Sequence, residues 1–234
     1  MVLYHYFSRW AAPRDENQFL DIPENIATQS LIAHGHMGVE LFFVISGFVI
    51  AMTLSRSTSP FDFAVRRIAR LYPALIVLSA VTAAATVLIF TNDRFAVSSI
   101  DFLPSFTTVS PNIINKAFSL ETSYIDGAYW SLFIEMRFYF LVAVVHFTMR
   151  RLFLPIMMII LVGIPLATIG IQSLGDSLPG VILRAFSVGQ FGPLFMAGVL
   201  FYTRFQNPEK RRVNSILLAI TYVVTLRLFY DRPI

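Results

Sequence analysis

Four ionisable side chains stand in stretches otherwise apolar enough to cross a membrane: His5 in VLYHYF, Glu40 in GHMGVELFFVISGFVI, and Glu135 and Arg137 in YWSLFIEMRFYF. An unpaired charge at the bilayer centre costs at least about 2.5–3.5 kcal/mol on insertion scales, so a group kept there needs a partner or a task. An imidazole such as that of His5 can take a proton from a hydroxyl near neutral pH. The same ring could equally do no more than bridge two helices. Glu40 opens its span, where the unpaired N–H groups of a helix start favour negative charge. It is expected at the outward mouth of a polar chamber, either in the chemistry or only capping the helix. On a helix, Ser131, Glu135 and Tyr139 recur every four residues and share one face. That stripe can line a cavity or can hold helices together by hydrogen bonds. Arg137 is two positions from Glu135 and does not pair with it along the helix.

A second set lies in VRRIARLYPAL, where Arg66, Arg67 and Arg70 stand three and four residues apart. Such spacing projects them from roughly one helical face. Guanidinium forks bind phosphate bidentately, so this face can hold a phosphorylated carrier, or it can simply anchor a cytoplasmic loop. Pro73 follows and is expected in a first helical turn, where its missing N–H costs little. His34 and His36 have no Cys and no third ligand nearby, so no metal site is expected. The chain shows no Gly-rich phosphate loop, nucleophile elbow or HExxH motif.

The elements that must carry these residues follow from composition. Of 234 residues, 56% are hydrophobic and 14% charged, against about 25% charged in a soluble domain. An integral membrane protein is expected, all-α, a polytopic helix bundle in one domain over 1–234. Apolar runs over 37–54, 71–90, 130–149, 152–171, 185–203 and 213–230 give about six spans. Residues 96–114 contain Asp101, Pro104 and Pro111 and read as interfacial or re-entrant. Residues 1–10 are apolar but rise only about 14 Å as a helix, so they read as half of a span and the chain as incomplete. Zero cysteines exclude disulfides and thiol catalysis. No basic stretch with interleaved aromatics points to nucleic acid.

Loop charge supplies the topology. Segments 55–70 and 204–212 each carry a net +3, and Arg150 and Arg151 fill the tight connection between them in order. Segments 9–36 and 92–127 each carry a net −2. Basic loops alternate with acidic ones across successive spans, which puts the basic ones in the cytoplasm.

Together these stretches resemble the acyltransferase-3 family of integral membrane acyltransferases. VLYHYF, GHMGVELFFVISGFVI, RRIARLYPAL and DGAYWSLFIEMRFYFL carry the resemblance in the expected order, with FGPLFMAGVLFY as a weaker fifth stretch. The resemblance implies a bundle that moves an acyl group, often acetyl, from cytoplasmic acyl-CoA to a carbohydrate hydroxyl on a lipid-linked or extracytoplasmic glycan. Acyl-CoA is then a co-substrate and no permanently bound cofactor is implied. The family's first-helix His falls on His5 and is implied to be catalytic. Its Arg-x-x-Arg falls on Arg67 and Arg70, with Arg66 beside them, at acyl-CoA. Its acidic position falls on Glu40, and its Trp-Ser-Leu-x-x-Glu on Trp130, Ser131 and Glu135. A bacterial inner membrane is the implied location. The family's Arg eleven positions before the first-helix His would fall before Met1, its usual ten or so spans exceed those counted here, and Arg137 replaces a neutral or acidic residue. An inactive, truncated relative and a transporter or flippase with a charged substrate path stand as the other readings.

Overall fold

The computed structural model describes residues 37–89, 98–107, 111–123, 129–170 and 188–230. The half-span over 1–10, and His5 with it, lies outside them. Every regular element among the described residues is helical, as the all-α reading expects. The helices are α1 (Met37–Arg56), α2 (Pro60–Ile89), α3 (Phe102–Thr107), α4 (Pro111–Phe118), α5 (Trp130–Thr148), α6 (Phe153–Met158), α7 (Ile164–Gly170), α8 (Gly192–Gln206) and α9 (Arg211–Tyr230). A π-helical turn, Ile159–Gly163, joins α6 to α7. It sits just before Pro165, whose ring cannot donate to the carbonyl four residues back.

Five stretches are long and apolar enough to cross a membrane: Met37–Arg56, Pro60–Ala84, Trp130–Thr148, Arg150–Ala167 and Pro208–Phe229. The sixth expected span is represented by α8, whose 15 described residues rise about 22 Å, short of the roughly 30 Å hydrocarbon core. Among the described residues of 98–107 and 111–123 no helix is long and apolar enough to cross. They form only short helices, and buried Asp101 accepts hydrogen bonds from the backbone N–H groups of Ser98 (2.8 Å) and Ser123 (2.7 Å). The Asn115 side chain closes the same segment through three bonds to Thr122 of 2.7 to 2.9 Å.

Helix α2 begins earlier than the apolar run suggests. Ser59 Oγ accepts the Asp62 N–H at 3.1 Å, and the Asp62 carboxylate accepts the Thr58 N–H at 3.2 Å. Pro60 takes the first helical position, where it is favoured. Pro73 is therefore inside the helix and not in a first turn. Its ring leaves the Ala69 carbonyl without the usual donor, which membrane helices tolerate by local adjustment. With 30 residues, α2 is about 45 Å long, some 15 Å more than the hydrocarbon needs.

The chain divides into two compact units, one of residues 1–49 with 190–234 and the other of 50–189. In the first, α1 and α8 run side by side in the same direction. The Phe43 ring meets those of Phe191 and Phe195 with centroids 4.9 and 4.8 Å apart, and Phe48 meets Tyr202 edge-on at 5.5 Å. Two glycines permit the approach. A Cβ on Gly47 would lie 2.9 Å from the Phe195 carbonyl carbon, and one on Gly198 would lie 2.6 Å from the Phe48 nitrogen. Helix α9 then folds back on α8 and buries Asn214, Thr221 and Val224. In the second unit, α2 and α5 are antiparallel. Phe63 meets Tyr139, Leu75 packs with Tyr129 and Phe133, and Ser79 Oγ lies 3.5 Å from Tyr129 Oη. Parallel α1 and α8, with three spans between them in sequence, and antiparallel α2 and α5 are the directions that alternating basic loops require.

The glycine contact is testable. Forcing extra atoms into packed structure typically costs 1–3 kcal/mol. Gly198→Leu is expected to lower the unfolding midpoint of the detergent-solubilised protein by an amount equivalent to about 2 kcal/mol or more. Gly163→Ala, whose Cβ would meet only the Met158 carbonyl at 4.0 Å, should leave it within about 1 kcal/mol, the usual Gly-to-Ala effect in a helix.

Candidate functional site

The chemistry-bearing residues of α2 and α5 converge because those helices pair. On α5, Tyr139 Oη donates to Glu135 Oε1 at 2.6 Å, the short geometry of a charge-assisted bond. Both side chains are buried, each 4% exposed. On α2, Arg67 is equally buried at 4%. Its guanidinium carbon lies 5.3 Å from the Tyr139 ring centroid and 5.6 Å from that of Phe63. The two rings meet edge-on at 79°, with centroids 6.3 Å apart. The guanidinium also interacts with the Tyr139 hydroxyl and feels the Glu135 charge. One cation, one carboxylate, one phenol and one phenyl ring therefore form a single buried cluster. Arg67 is seven residues from the start of α2, about 10 Å along its axis, and Tyr139 stands nine residues from each end of α5, so the cluster lies midway along that span.

The three arginines of the basic stretch do not behave alike. Arg66 is exposed, and its Nε donates to Asp62 Oδ1 at 2.8 Å in an i,i+4 pair. Arg70 is exposed, and only Arg67 turns into the bundle. The Ser131–Glu135–Tyr139 stripe is present on α5: Ser131 and Trp130 are half-buried one turn nearer the helix start, and exposed Arg137 faces away. Glu40 is half-buried in the first turn of α1. His5 lies outside the described residues. His146 is half-buried with its ring edge-on to Phe147 and Phe153. Among the described residues no group of three His, Asp or Glu could hold a metal ion.

Sequence reasoning passed over Phe63. Its signal was available, since an aromatic four residues before an arginine on a helix places ring and guanidinium on one face.

A model of the acyltransferase-3 family, described as an acyltransferase domain, matches residues 1–231. The chain belongs to this family. It is also similar to a protein of Shigella phage Sf6 named O-acetyl transferase, with 27% identity over 197 residues. That match covers 80% of this chain and 58% of the relative, so the chain spans little more than half the relative's length. No solved structure matches the chain. Arg67 and Glu135, which both contact Tyr139, belong to RRIARLYPAL and DGAYWSLFIEMRFYFL, two of the four stretches that carried the family resemblance.

The cluster makes a quantitative expectation. Removing a donor from a buried acceptor costs about 1–3 kcal/mol. Tyr139→Phe is expected to destabilise the detergent-solubilised protein within that range, read by chemical or thermal unfolding. Arg70→Gln, at an exposed position, should change stability by no more than about 0.5 kcal/mol.

Proposed function

We propose that the protein is a membrane-embedded O-acyltransferase that moves an acyl group, acetyl in the simplest case, from acyl-CoA to a hydroxyl of a cell-surface or lipid-linked carbohydrate. The observation that carries this reading is the burial of Arg67 and Glu135, 68 positions apart, against the same Tyr139 in a chain that belongs to an acyltransferase family. The similarity to a protein named O-acetyl transferase supports acetyl as the group moved.

The chemistry assigns a place to each residue. Exposed Arg70, with Arg66 beside it, offers guanidinium groups at the inner face for the phosphates of CoA. Arg67 stands one turn away, buried, where the pantetheine arm and thioester would pass inward. Glu135 and Tyr139 hold its charge and fix its orientation. Trp130 and Ser131 line the next turn toward the outer face. His5 would take the proton of the acceptor hydroxyl as its oxygen attacks the thioester carbonyl. The new C–O bond forms, the C–S bond breaks, and the proton passes from the imidazole to the departing thiolate of CoA. Glu40, on the outward side, would stand at the acceptor's end of the path. Proton transfer by a positioned side chain contributes about 10²–10⁴-fold.

The test is incorporation of label from acetyl-CoA carrying radioactive acetyl into the glycan of membranes that contain the protein. His5→Ala is expected to lower incorporation by about 10²-fold or more, with the amount of folded protein unchanged. Label transfer that survives His5→Ala would remove the imidazole from the mechanism. Movement of a carbohydrate substrate across the membrane without any dependence on acyl-CoA would establish the transporter reading instead.

A further inference from the structure

We infer that the inner end of the α1, α8 and α9 group is a binding site for one anionic phospholipid of the inner leaflet, its phosphate held by Arg204 and Arg211. A cavity of about 680 Å³ is lined by Val44, Ile45 and Phe48 of α1, Phe201, Arg204 and Phe205 of α8, and Arg211 of α9. Five of its seven walls are apolar, and both of the others are arginines. Phe205 is 74% exposed and Ile45 52%, an arrangement that water does not favour and that hydrocarbon does. The cations sit at one end only. Arg204 is two residues from the end of α8, and Arg211 is the first residue of α9. The same two arginines also border a second hollow of about 820 Å³, lined further by Pro208, Glu209, Arg212, Ser215 and Ile216. They therefore stand between an apolar groove and one bordered mostly by polar and charged residues.

That boundary has the chemistry of a lipid headgroup. The apolar wall runs from Phe48, about 12 Å from the end of α1, to Val44, about 18 Å from it. An acyl chain lying there would leave its phosphate level with the basic loop 204–212. Arg204 Nε is buried and has no hydrogen-bond partner among the described residues. A guanidinium fork on each side can take separate phosphate oxygens, and the start of the 20-residue helix α9 adds positive potential at the same point. Basic pockets between spans on the cytoplasmic side are known to take anionic headgroups. Acyl-CoA and free phosphate share part of this chemistry. The groove commits to lipid because its apolar wall flanks α1, a helix that is itself embedded in the bilayer. The inference stands independently of the acyl-transfer reading.

The experiment is native mass spectrometry of the full protein in detergent, equilibrated with an equimolar mixture of phosphatidylglycerol and phosphatidylcholine. The protein should retain phosphatidylglycerol at least about tenfold over phosphatidylcholine, in line with two arginines at the membrane surface. The Arg204→Gln, Arg211→Gln double variant should lose that preference. Arg212→Gln, which removes a charge from the same loop outside the apolar groove, should keep it. The Arg204→Lys, Arg211→Lys variant should keep part of it, and guards against a double glutamine variant that fails to fold. Acetyl-CoA or inorganic phosphate at the lipid's concentration should not displace the lipid. Equal retention of both lipids, an equal loss in Arg212→Gln, or displacement by either soluble phosphate would overturn the inference.

Discussion

A guanidinium and a carboxylate removed from water constrain how α2 packs on α5. Each ion loses several kcal/mol of effective solvation on burial, and only close partners return it. Arg67 has the faces of Phe63 and Tyr139 beside it and the Glu135 charge within reach. Glu135 in turn accepts the Tyr139 hydroxyl. A hydrophobic pair of the same volume would serve stability as well or better. The retention of three polar groups, Arg67, Glu135 and Tyr139, in an otherwise apolar contact is the reason to look for chemistry there.

The cluster also sets the register of α2 on α5. With Arg67 held against Tyr139, the antiparallel pairing carries Leu75 to Phe133 and Ser79 to Tyr129. Arg66 and Arg70, on other sides of α2, remain exposed. The α1–α8 pair is held differently, by backbone contact at Gly47 and Gly198 and by stacked Phe43, Phe191 and Phe195. Small residues at a crossing are the usual means of close packing where lipid gives no hydrophobic drive.

Much of this was legible in local pattern. Apolar run length located the spans, and four-residue spacing joined Glu135 to Tyr139. Charge alternation predicted helix directions that the two pairings obey. The remainder depends on contacts distant in sequence. Arg66, Arg67 and Arg70 look equivalent along one helix, and only the facing Tyr139 selects Arg67 for burial. The start of α2 was written in Ser59, Pro60 and Asp62, but a span measured from Leu71 by hydropathy hides it, and Pro73 was misplaced for that reason. The Gly47–Gly198 crossing joins positions 151 apart, and neither glycine announces its partner. The groove bounded by Arg204 and Arg211 is likewise a property of three helices and not of any one.

The central claim is that Arg67 and Glu135 act as one energetic unit, and a double-mutant cycle measures it. Unfolding free energies of Arg67→Met, Glu135→Leu and the double variant would be compared with that of the unmodified protein in the same detergent. Each single change should cost about 3–5 kcal/mol, because it strands a buried charge. The double should cost less than their sum by at least about 1 kcal/mol, as residues in one network do. Single costs that add to within about 0.5 kcal/mol, the behaviour of independent sites, would contradict the account.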